Sequence, residues 1–450
     1  VTSIALLLFI LLALMLPDKP MFGLSKEAYE PDRIVPVLVA LNFAVCAIPL
    51  FLFSKDADHT GSKADGASVK AGVGALFSLI RNWKQNSDAM IYLLARTLAQ
   101  DAGGVLLILC GVYAAGVMGW DGTQMLVYGL LPVLDLFFGP DGQNPPDEVM
   151  ERLENDKYYR YCTYAYIPFQ LTSLVLACYL WTADNLSWLG IDGGLGLISK
   201  IGLAISVGVM GGVGINTAHE LGHKKETLER WLSKITLAQT CYGHFFIEHN
   251  RGHHVRVATP EDPASAKFGE SFWKFLPRSV WGSLKSSWHI EKTRMERLGK
   301  STWNIRNDVL NAWLMSVVLF GALTAVFGVS ILPFLLIQAV YGFSLLETVN
   351  YLEHYGLLRQ KTESGRYVRC APEHSWNSDH LVTNLFLYHL QRHSDHHANP
   401  TRRYQTLRSM QGAPNLPSGY ASLIGLTYFP PLWRKVMDHR VMEHYDGDIT

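Results

Sequence analysis

Long stretches without a charged side chain dominate this sequence of 450 residues. Asp, Glu, Lys and Arg are absent from residues 34–53, 103–120, 162–183, 201–218 and 311–346. A helix of about 20 apolar residues crosses the hydrocarbon core of a bilayer. In lipid only helices and closed barrels satisfy every backbone hydrogen bond, and these runs are too long for barrel strands. The pattern therefore predicts an all-α, polytopic membrane helical bundle.

Eight spanning segments are predicted. They lie near residues 1–16, 34–53, 103–120, 123–138, 162–183, 196–218, 311–328 and 329–346. The fourth is the weakest, because it is short and contains Asp135. Gly328 and Pro333 predict a turn within the longest uncharged run, whose two halves then form a helical hairpin. The first apolar run could belong to a cleaved signal peptide, but no basic region precedes it, and we expect instead that the true N-terminus lies upstream.

The basic residues are distributed unevenly between the two sides of this bundle. Loops that follow the even-numbered segments carry 35 of the 39 Lys and Arg residues. Loops that follow the odd-numbered segments carry 3, and Lys200 lies near the start of the sixth segment. Basic loops remain in the cytoplasm. We therefore expect the polar regions 219–310 and 347–450 to form a helical cap on the cytoplasmic face. The net charge of zero gives no indication of nucleic-acid binding.

Nine of the 17 histidines fall into tight clusters beside the apolar runs. They are His219, His223, His249, His253, His254, His354, His393, His396 and His397. Helical residues three or four apart share a face, so such imidazoles can converge on one ion. His219/His223 and His249/His253 have this spacing. One such pair alone is a weak signal, but three clusters and a further histidine on one face predict a metal site.

Nine neutral ligands are too many for one ion, so two metal ions are expected. Imidazole suits zinc, copper, iron or nickel. Structural zinc usually recruits cysteine, and none of the six cysteines forms a C-x-x-C pair. A redox metal beside a bilayer points to oxygen chemistry on a lipid-soluble substrate.

Carboxylates beside the histidines are candidates for orienting the ligands. A metal-bound imidazole usually donates its other N–H to a carboxylate or a carbonyl. The candidates are Asp262, Glu353, Glu248, Asp395 and Glu220. Asp262 and Glu353 are favoured over Glu220, which lies about 100° around the helix from His219. His389, four residues before His393, is expected to support the site or the core and not to bind metal.

At these residues the sequence resembles the bacterial membrane alkane 1-monooxygenases, which are non-haem di-iron alkane hydroxylases. The resemblance rests on HELGHKKE (219–226), EHNRGHHVRVATPEDP (248–263), NYLEHYGLLRQK (350–361) and LQRHSDHHANPTRRYQTL (390–407). It extends more loosely from about residue 103 to 440 and implies six core transmembrane helices. Residues 101–450 are then the hydroxylase domain. Residues 1–100, with two apolar segments and a polar linker, are an N-terminal extension.

The resemblance implies hydroxylation of the terminal methyl of medium- or long-chain alkanes with O2 and two electrons. The nine histidines would bind two iron ions, and no catalytic side chain is implied beyond them. Electrons would come from NADH through a flavin reductase and rubredoxin. The sequence has no C-x-x-C-G pair, so rubredoxin is expected to be a separate chain or to lie outside these residues. The implied location is the bacterial inner (cytoplasmic) membrane.

The alkane is expected to enter from the lipid bilayer through a tunnel between the helices. In similar enzymes a bulky residue on the helix that corresponds to 123–138 limits chain length. Val127 is modest in size there and favours longer chains. Trp at this position is expected to shorten the preferred alkane.

Two other kinds of protein remain open. A membrane fatty-acyl desaturase, or an aryl-methyl hydroxylase similar to xylene monooxygenase, would use similar histidine boxes. The middle box here reads HxxxHH instead of HxxHH, and NYLEHYG is present, so hydroxylation of alkanes is preferred. A metal transporter or a structural membrane protein would place polar residues within its spans, and these spans are nearly free of them.

Overall fold

A computed structural model of the protein describes residues 129–189 and 193–447. Outside these residues lie the predicted extension at 1–100, the spans near 1–16, 34–53 and 103–120, the first part of the span at 123–138, and Val127. Apart from the short segment 183–194, the described residues belong to one compact unit. Within them regular structure is helical, with isolated β-bridges and no sheet. The all-α prediction is confirmed for this part of the chain.

Twelve α-helices of six or more residues organise the described residues. They are α1 (Leu131–Phe138), α2 (Asp147–Asn155), α3 (Lys157–Thr182), α4 (Leu197–Gly222), α5 (Thr227–Leu237), α6 (Phe272–Arg297), α7 (Asp308–Phe327), α8 (Leu332–His354), α9 (Leu381–Phe386), α10 (His393–Ala398), α11 (Tyr420–Thr427) and α12 (Pro430–His444).

Four helical stretches of this part of the chain are long and apolar enough to cross a membrane. They are Lys157–Thr182, Leu197–Gly222, Asp308–Phe327 and Val329–His354. Each overlaps one of the four spans predicted between residues 162 and 346. Gly328, with a φ of 84°, ends α7, and Pro333 lies in the first turn of α8. The predicted helical hairpin is therefore confirmed.

Helices α4 and α8 approach each other closely through glycines. A Cβ on Gly208 would lie 2.9 Å from the Cβ of Tyr341, and one on Gly212 would lie 2.8 Å from the Cδ2 of Leu345. Small residues permit such close packing of membrane helices. Both contacts advance by four residues in the same direction, so the two helices run parallel. The histidines near their C-terminal ends therefore lie at the same end of the bundle.

The opposite end of these helices is an apolar core. Buried side chains of α3, α4, α7 and α8 meet there, among them Leu174, Ala204, Leu323 and Phe334. This core fixes the four long helices relative to one another far from the histidines.

Asp135, the charge that weakens the fourth predicted span, is fully buried and has a partner. Its carboxylate accepts hydrogen bonds from the backbone N–H of Thr383 at 2.9 Å and from the Thr383 hydroxyl. That N–H lies in the first turn of α9, where helix donors have no partner within the helix. Asp135 therefore ties α1 to the segment that precedes the third histidine box.

Replacing Gly208 with Ala is expected to lower the apparent melting temperature in detergent. The new Cβ would meet the Cβ of Tyr341 at 2.9 Å and the backbone oxygen of Gln338 at 3.0 Å. Overpacking of this kind costs about 1–3 kcal/mol. Gly202→Ala is the matched control, because nothing lies within 4 Å of its Cβ. Equal melting temperatures for the two variants would contradict the close contact.

Candidate metal centre

The nine predicted histidines meet in two clusters at one end of the bundle. The first cluster contains His219, His223, His249, His254 and His396, and the second contains His253, His354, His393 and His397. Within each cluster the candidate ligand atoms all lie within 4.8 Å of one another. His254 is partly exposed, and the other eight side chains are buried. His389 is in neither cluster, as expected.

The second histidine box supplies both clusters. His249 and His254, five residues apart, join the first cluster, whereas His253 joins the second. The reason is local, since Glu248–His253 is a π-helical turn. In such a turn the hydrogen bonds run between residues five apart, and the backbone N–H of His254 bonds the carbonyl of His249. His249 and His253 supply different clusters, contrary to the shared ion expected from their four-residue spacing.

The third box divides in the same way. His393 and His397, four residues apart on α10, join the second cluster, and His396 joins the first. The rings of His254 and His397, which belong to different clusters, stack with centroids 4.3 Å apart and planes at 29°. The two clusters therefore form one continuous block of imidazoles.

The nitrogen–nitrogen distances of the first cluster fit a bound metal ion. The Nε2 atoms are 2.9 Å apart in His219/His396, 3.0 Å in His249/His254 and 3.2 Å in His254/His396. An imidazole nitrogen carries either one proton or one lone pair. The Nε2 of His254 therefore cannot satisfy two such contacts as hydrogen bonds. A shared cation accounts for them, because metal–nitrogen bonds of about 2.1 Å place neighbouring ligand nitrogens about 3 Å apart.

The second cluster has the same spacing. The Nε2 atoms are 2.9 Å apart in His393/His397 and 3.3 Å in His354/His393. The Nε2 of His253 is buried with no hydrogen-bond partner in the described part of the chain. Its Nδ1 lies 2.8 Å from the Oδ2 of Asp262. With the proton on Nδ1, the Nε2 lone pair of His253 faces the cluster, which is the role predicted for Asp262.

Burial keeps these histidines in the form that binds metal. Burial, and after it the neighbouring histidines, lowers the pKa of six of these imidazoles well below the ordinary value. The six are His223, His249, His254, His393, His396 and His397. Metal ions bind imidazole in its neutral form. Burial alone would raise the pKa of Asp262, but His253 and the Ser265 hydroxyl outweigh it and hold that pKa below its ordinary value. Asp262 therefore remains a carboxylate.

The other four candidate carboxylates are arranged differently. The Oε2 of Glu353 lies 3.2 Å from the Nε2 of His393, the nitrogen that faces the cluster, and its Oε1 accepts a hydrogen bond from Tyr420. Within the described residues, the ion pairs of the remaining three carboxylates are with lysine or arginine and not with the nine histidines. These pairs are Glu248–Arg256, Asp395–Arg402 and Glu220–Lys224.

The expectation that Glu248, Asp395 and Glu220 orient the ligands is therefore corrected. Each lies one or two residues from a histidine of the clusters, which turns its side chain to another face of its helical turn. Asp395 accepts hydrogen bonds from the side chains of Arg402 and Asn399. These carboxylates hold the segments that carry the histidines.

Two adjacent arginines hold the third box in place, one from within it and one by binding α5, and neither was predicted from the sequence. Arg402 donates to both oxygens of Asp395, at 2.7 and 2.6 Å. Arg403 donates to both oxygens of the buried Glu229, at 3.1 and 3.0 Å. Glu229 lies on α5, which directly follows the first box. The only sequence signal was a pair of basic residues within the third box, after its last histidine.

The helical bundle and the two histidine clusters define a membrane-bound, metal-dependent oxidoreductase. The family model described as fatty acid desaturase matches residues 198–426, which include all nine histidines. The alkane 1-monooxygenase of Acinetobacter baylyi is 50% identical over 329 residues, or 73% of this chain and 78% of that protein. The alkane 1-monooxygenase of Ectopseudomonas oleovorans is 47% identical over 344 residues, or 76% and 84%. The chain belongs to the alkane 1-monooxygenase family.

Similarity to an aryl-methyl hydroxylase is weaker. The xylene/toluene monooxygenase hydroxylase component of Pseudomonas putida is 27% identical over 236 residues, or 52% of this chain and 62% of that protein. Both identity and coverage are lower than for the alkane 1-monooxygenases. The predicted membership of the alkane 1-monooxygenase family, and with it the prediction of an enzyme, is confirmed.

Replacing Asp262 with Asn is expected to weaken metal binding about 10- to 100-fold, the usual effect of losing the partner of a ligating histidine. The amide lacks the charge that holds the proton on the Nδ1 of His253. Metal retained against a competing chelator measures the change. Glu261→Gln is the control, because this neighbouring side chain is exposed and contacts Tyr367. Unaltered affinity in Asp262→Asn would contradict the role of Asp262.

Proposed function

We propose that the protein hydroxylates the terminal methyl of medium- and long-chain alkanes at two iron ions held by the nine histidines. One alkane, O2, two electrons and two protons give one primary alcohol and one water. The observation that carries the proposal is the pair of buried histidine clusters beside an apolar cavity, in a chain of this family. When bound, the two iron ions supply the activation of O2. The donor set of imidazoles without cysteine supports a redox metal over structural zinc.

An apolar cavity supports an alkane substrate. It is lined by Leu131, Val209, Gly212, Val213, Asn216, Leu345, Leu346, Val349, Thr383, Phe386, Leu387, Leu390, Ala421 and Ile424. The amide of Asn216 donates to the carbonyl of Leu387 at 2.7 Å, and Thr383 is bonded to Asp135. These polar groups are thereby engaged elsewhere. Apolar side chains dominate the walls, as in most small-molecule sites, and these walls suit a substrate without polar groups.

The cavity wall lies close to both histidine clusters. Asn216 precedes His219 of the first cluster by three residues on α4, and Val349 precedes His354 of the second by five on α8. Such spacings correspond to roughly one helical turn, or about 5.4 Å. We infer that the alkane lies between α4 and α8 with its terminal methyl toward the clusters. The protein contributes position and the exclusion of water, while the metal ions perform the oxidation.

Replacing Val349 with Trp is expected to shift the preferred substrate to shorter alkanes. Val349 is 8% exposed and lines the cavity, so an indole there takes up part of the space that a long chain needs. Loss of hexadecane turnover by about tenfold or more relative to octane is expected from lost pocket contacts. Alcohol products from a chain-length series measure the shift.

Val340→Trp is the control for this prediction, because Val340 lies on the same helix but is 51% exposed. Val349→Phe provides a smaller step if the Trp variant is inactive. The same chain-length profile in all three variants and the unmodified protein would contradict the cavity as the alkane site.

The clusters are proposed to face the cytoplasm of the bacterial inner membrane. Support comes from the 35 of 39 basic residues in the loops on that side and from the tendency of such loops to remain in the cytoplasm. The parallel course of α4 and α8 supports the same assignment, because it puts both histidine-bearing ends on the basic side.

Rubredoxin, reduced by NADH through a flavin reductase, is proposed as the electron donor. A concave surface beside the first cluster suits an acidic partner. It is lined by Gly222, Lys224, Lys225, Arg230, Phe246, Asn250 and Arg251. Gly222 and Asn250 are the immediate neighbours of His223 and His249. A donor bound there would lie next to the first cluster.

The double variant Lys225→Glu/Arg230→Glu is expected to raise the KM for reduced rubredoxin while leaving the KM for alkane unchanged. Charge reversal removes the complementarity that steers an acidic partner, and the salt dependence of the KM should fall with it. Lys300→Glu, at a basic residue outside this surface, is the control. An unchanged KM for rubredoxin would exclude this surface as its docking site.

The experiment that tests the function itself is turnover of octane, hexadecane and a fatty acyl thioester with rubredoxin, its reductase and NADH. Primary alcohols from the alkanes, with about two irons per chain, are expected. A desaturated acyl product without alcohols would favour a desaturase. Zinc as the only bound metal would contradict an oxygenase.

A further inference from the structure

A buried tyrosine and a buried glutamate lie outside the two histidine clusters but close to the first. Tyr242, between α5 and the π-helical turn, donates its hydroxyl hydrogen to the Oε1 of Glu347 on α8, with 2.7 Å between the oxygens. The Ser279 hydroxyl donates to the Oε2 of the same carboxylate at 2.5 Å. All three side chains are buried. The phenol therefore faces one proton acceptor, held in place and shielded from water.

The ring of Tyr242 belongs to a column of rings that ends on a histidine of the first cluster. Phe343 stacks on Tyr242 with centroids 5.1 Å apart and planes at 13°. Phe245 also stacks on Tyr242, at 6.2 Å and 26°, and Phe245 in turn stacks on His249 at 4.8 Å and 29°. A single phenylalanine thus separates the oxidisable phenol from a cluster histidine. This column is a short path for an electron.

We propose that Tyr242 and Glu347 form a protective electron relay for the oxygenation centre. The proposal rests on the proposed function, because the oxidant it handles is derived from O2 in that reaction. When this oxidant forms with no alkane in the cavity, no C–H bond is available to consume it. Tyr242 then gives up one electron along the column toward His249, and the oxidant is reduced by one electron.

The proton balance of this step uses Glu347. As Tyr242 loses its electron, its O–H bond breaks and a new O–H bond forms at the Oε1 of Glu347. The products are a neutral phenoxyl radical and a neutral carboxylic acid. Without the acceptor, oxidation would leave a positive charge in a buried site, which is strongly unfavourable. The one-electron donor of the enzyme later returns the electron, and Glu347 returns the proton.

The same three residues also join α6, α8 and the segment before the second box, so a purely structural role has to be distinguished. A structural role needs only the hydrogen bonds, whereas the relay needs a group that can take the proton. Glu347→Gln separates the two, because its amide oxygen still accepts a hydrogen bond from Tyr242 but is a far weaker base. Tyr420 is a matched comparison, since it is also buried and donates to a glutamate, Glu353, at 2.9 Å.

The test is electron paramagnetic resonance of the iron-loaded, full-length protein in detergent, freeze-quenched after reduction and mixing with O2 without alkane. We expect a tyrosyl radical whose signal narrows with ring-deuterated tyrosine and is suppressed by octane. Tyr242→Phe should abolish it, Glu347→Gln should reduce it several-fold, and Tyr420→Phe should retain it. No tyrosyl radical in the unmodified protein, or a radical that survives Tyr242→Phe, would overturn the relay.

Iron content and alcohol formation are measured on the same preparations. Tyr242→Phe should keep its iron and its initial rate of alcohol formation, but lose activity several-fold faster during incubation with O2 and reductant alone. If this variant does not bind iron, fluorotyrosine placed at position 242 replaces it, and absence of fluorine splitting in the signal overturns the relay. Alcohol formation without a radical refutes the relay alone, whereas iron-loaded protein that yields no alcohol from any alkane counts against the proposed function.

Discussion

The close parallel contact between α4 and α8 sets the geometry on which the metal centre depends. Gly208 and Gly212 let the two backbones approach, and a Cβ on Gly342 would lie 3.1 Å from the backbone oxygen of Gly208. Because His219 lies in the last turn of α4 and His354 ends α8, the separation of the helices controls how far apart the two clusters lie. A larger side chain in this contact would separate the helices and the clusters together.

Two short segments complete both clusters from outside the long helices. The π-helical turn sends His249 to one cluster and His253 to the other, and α10 divides its histidines in the same way. Such segments have little helix stability of their own. Buried ion pairs hold them instead, above all Arg403 with Glu229. Breaking a buried pair leaves an uncompensated charge, so these contacts favour one arrangement of the histidines over others.

Helix α8 combines three tasks within about two turns. Glu347 accepts the hydrogen bond of Tyr242, Val349 lines the apolar cavity, and His354 belongs to the second cluster. Their positions on one rigid helix keep the proposed substrate path, the proposed relay and the metal ligands at constant distances. The apolar core at the other end of α8 anchors this arrangement far from the chemistry.

The sequence alone determined the helical fold of the described residues, the four spans between residues 157 and 354, and the nine histidines. These properties follow from apolar length and helical periodicity, which are local. Tertiary structure decided which histidine joins which cluster. The spacing of the histidines in the sequence does not show whether the segment that carries them is an α-helix or a π-helical turn. It also decided that Asp262 reaches a ligand while Glu220 and Asp395 bind basic residues. These partners lie four to nine residues apart, so the conformation of the chain between them selects each pair. The contact between Glu229 and Arg403 joins segments distant in sequence, and no local pattern encodes it.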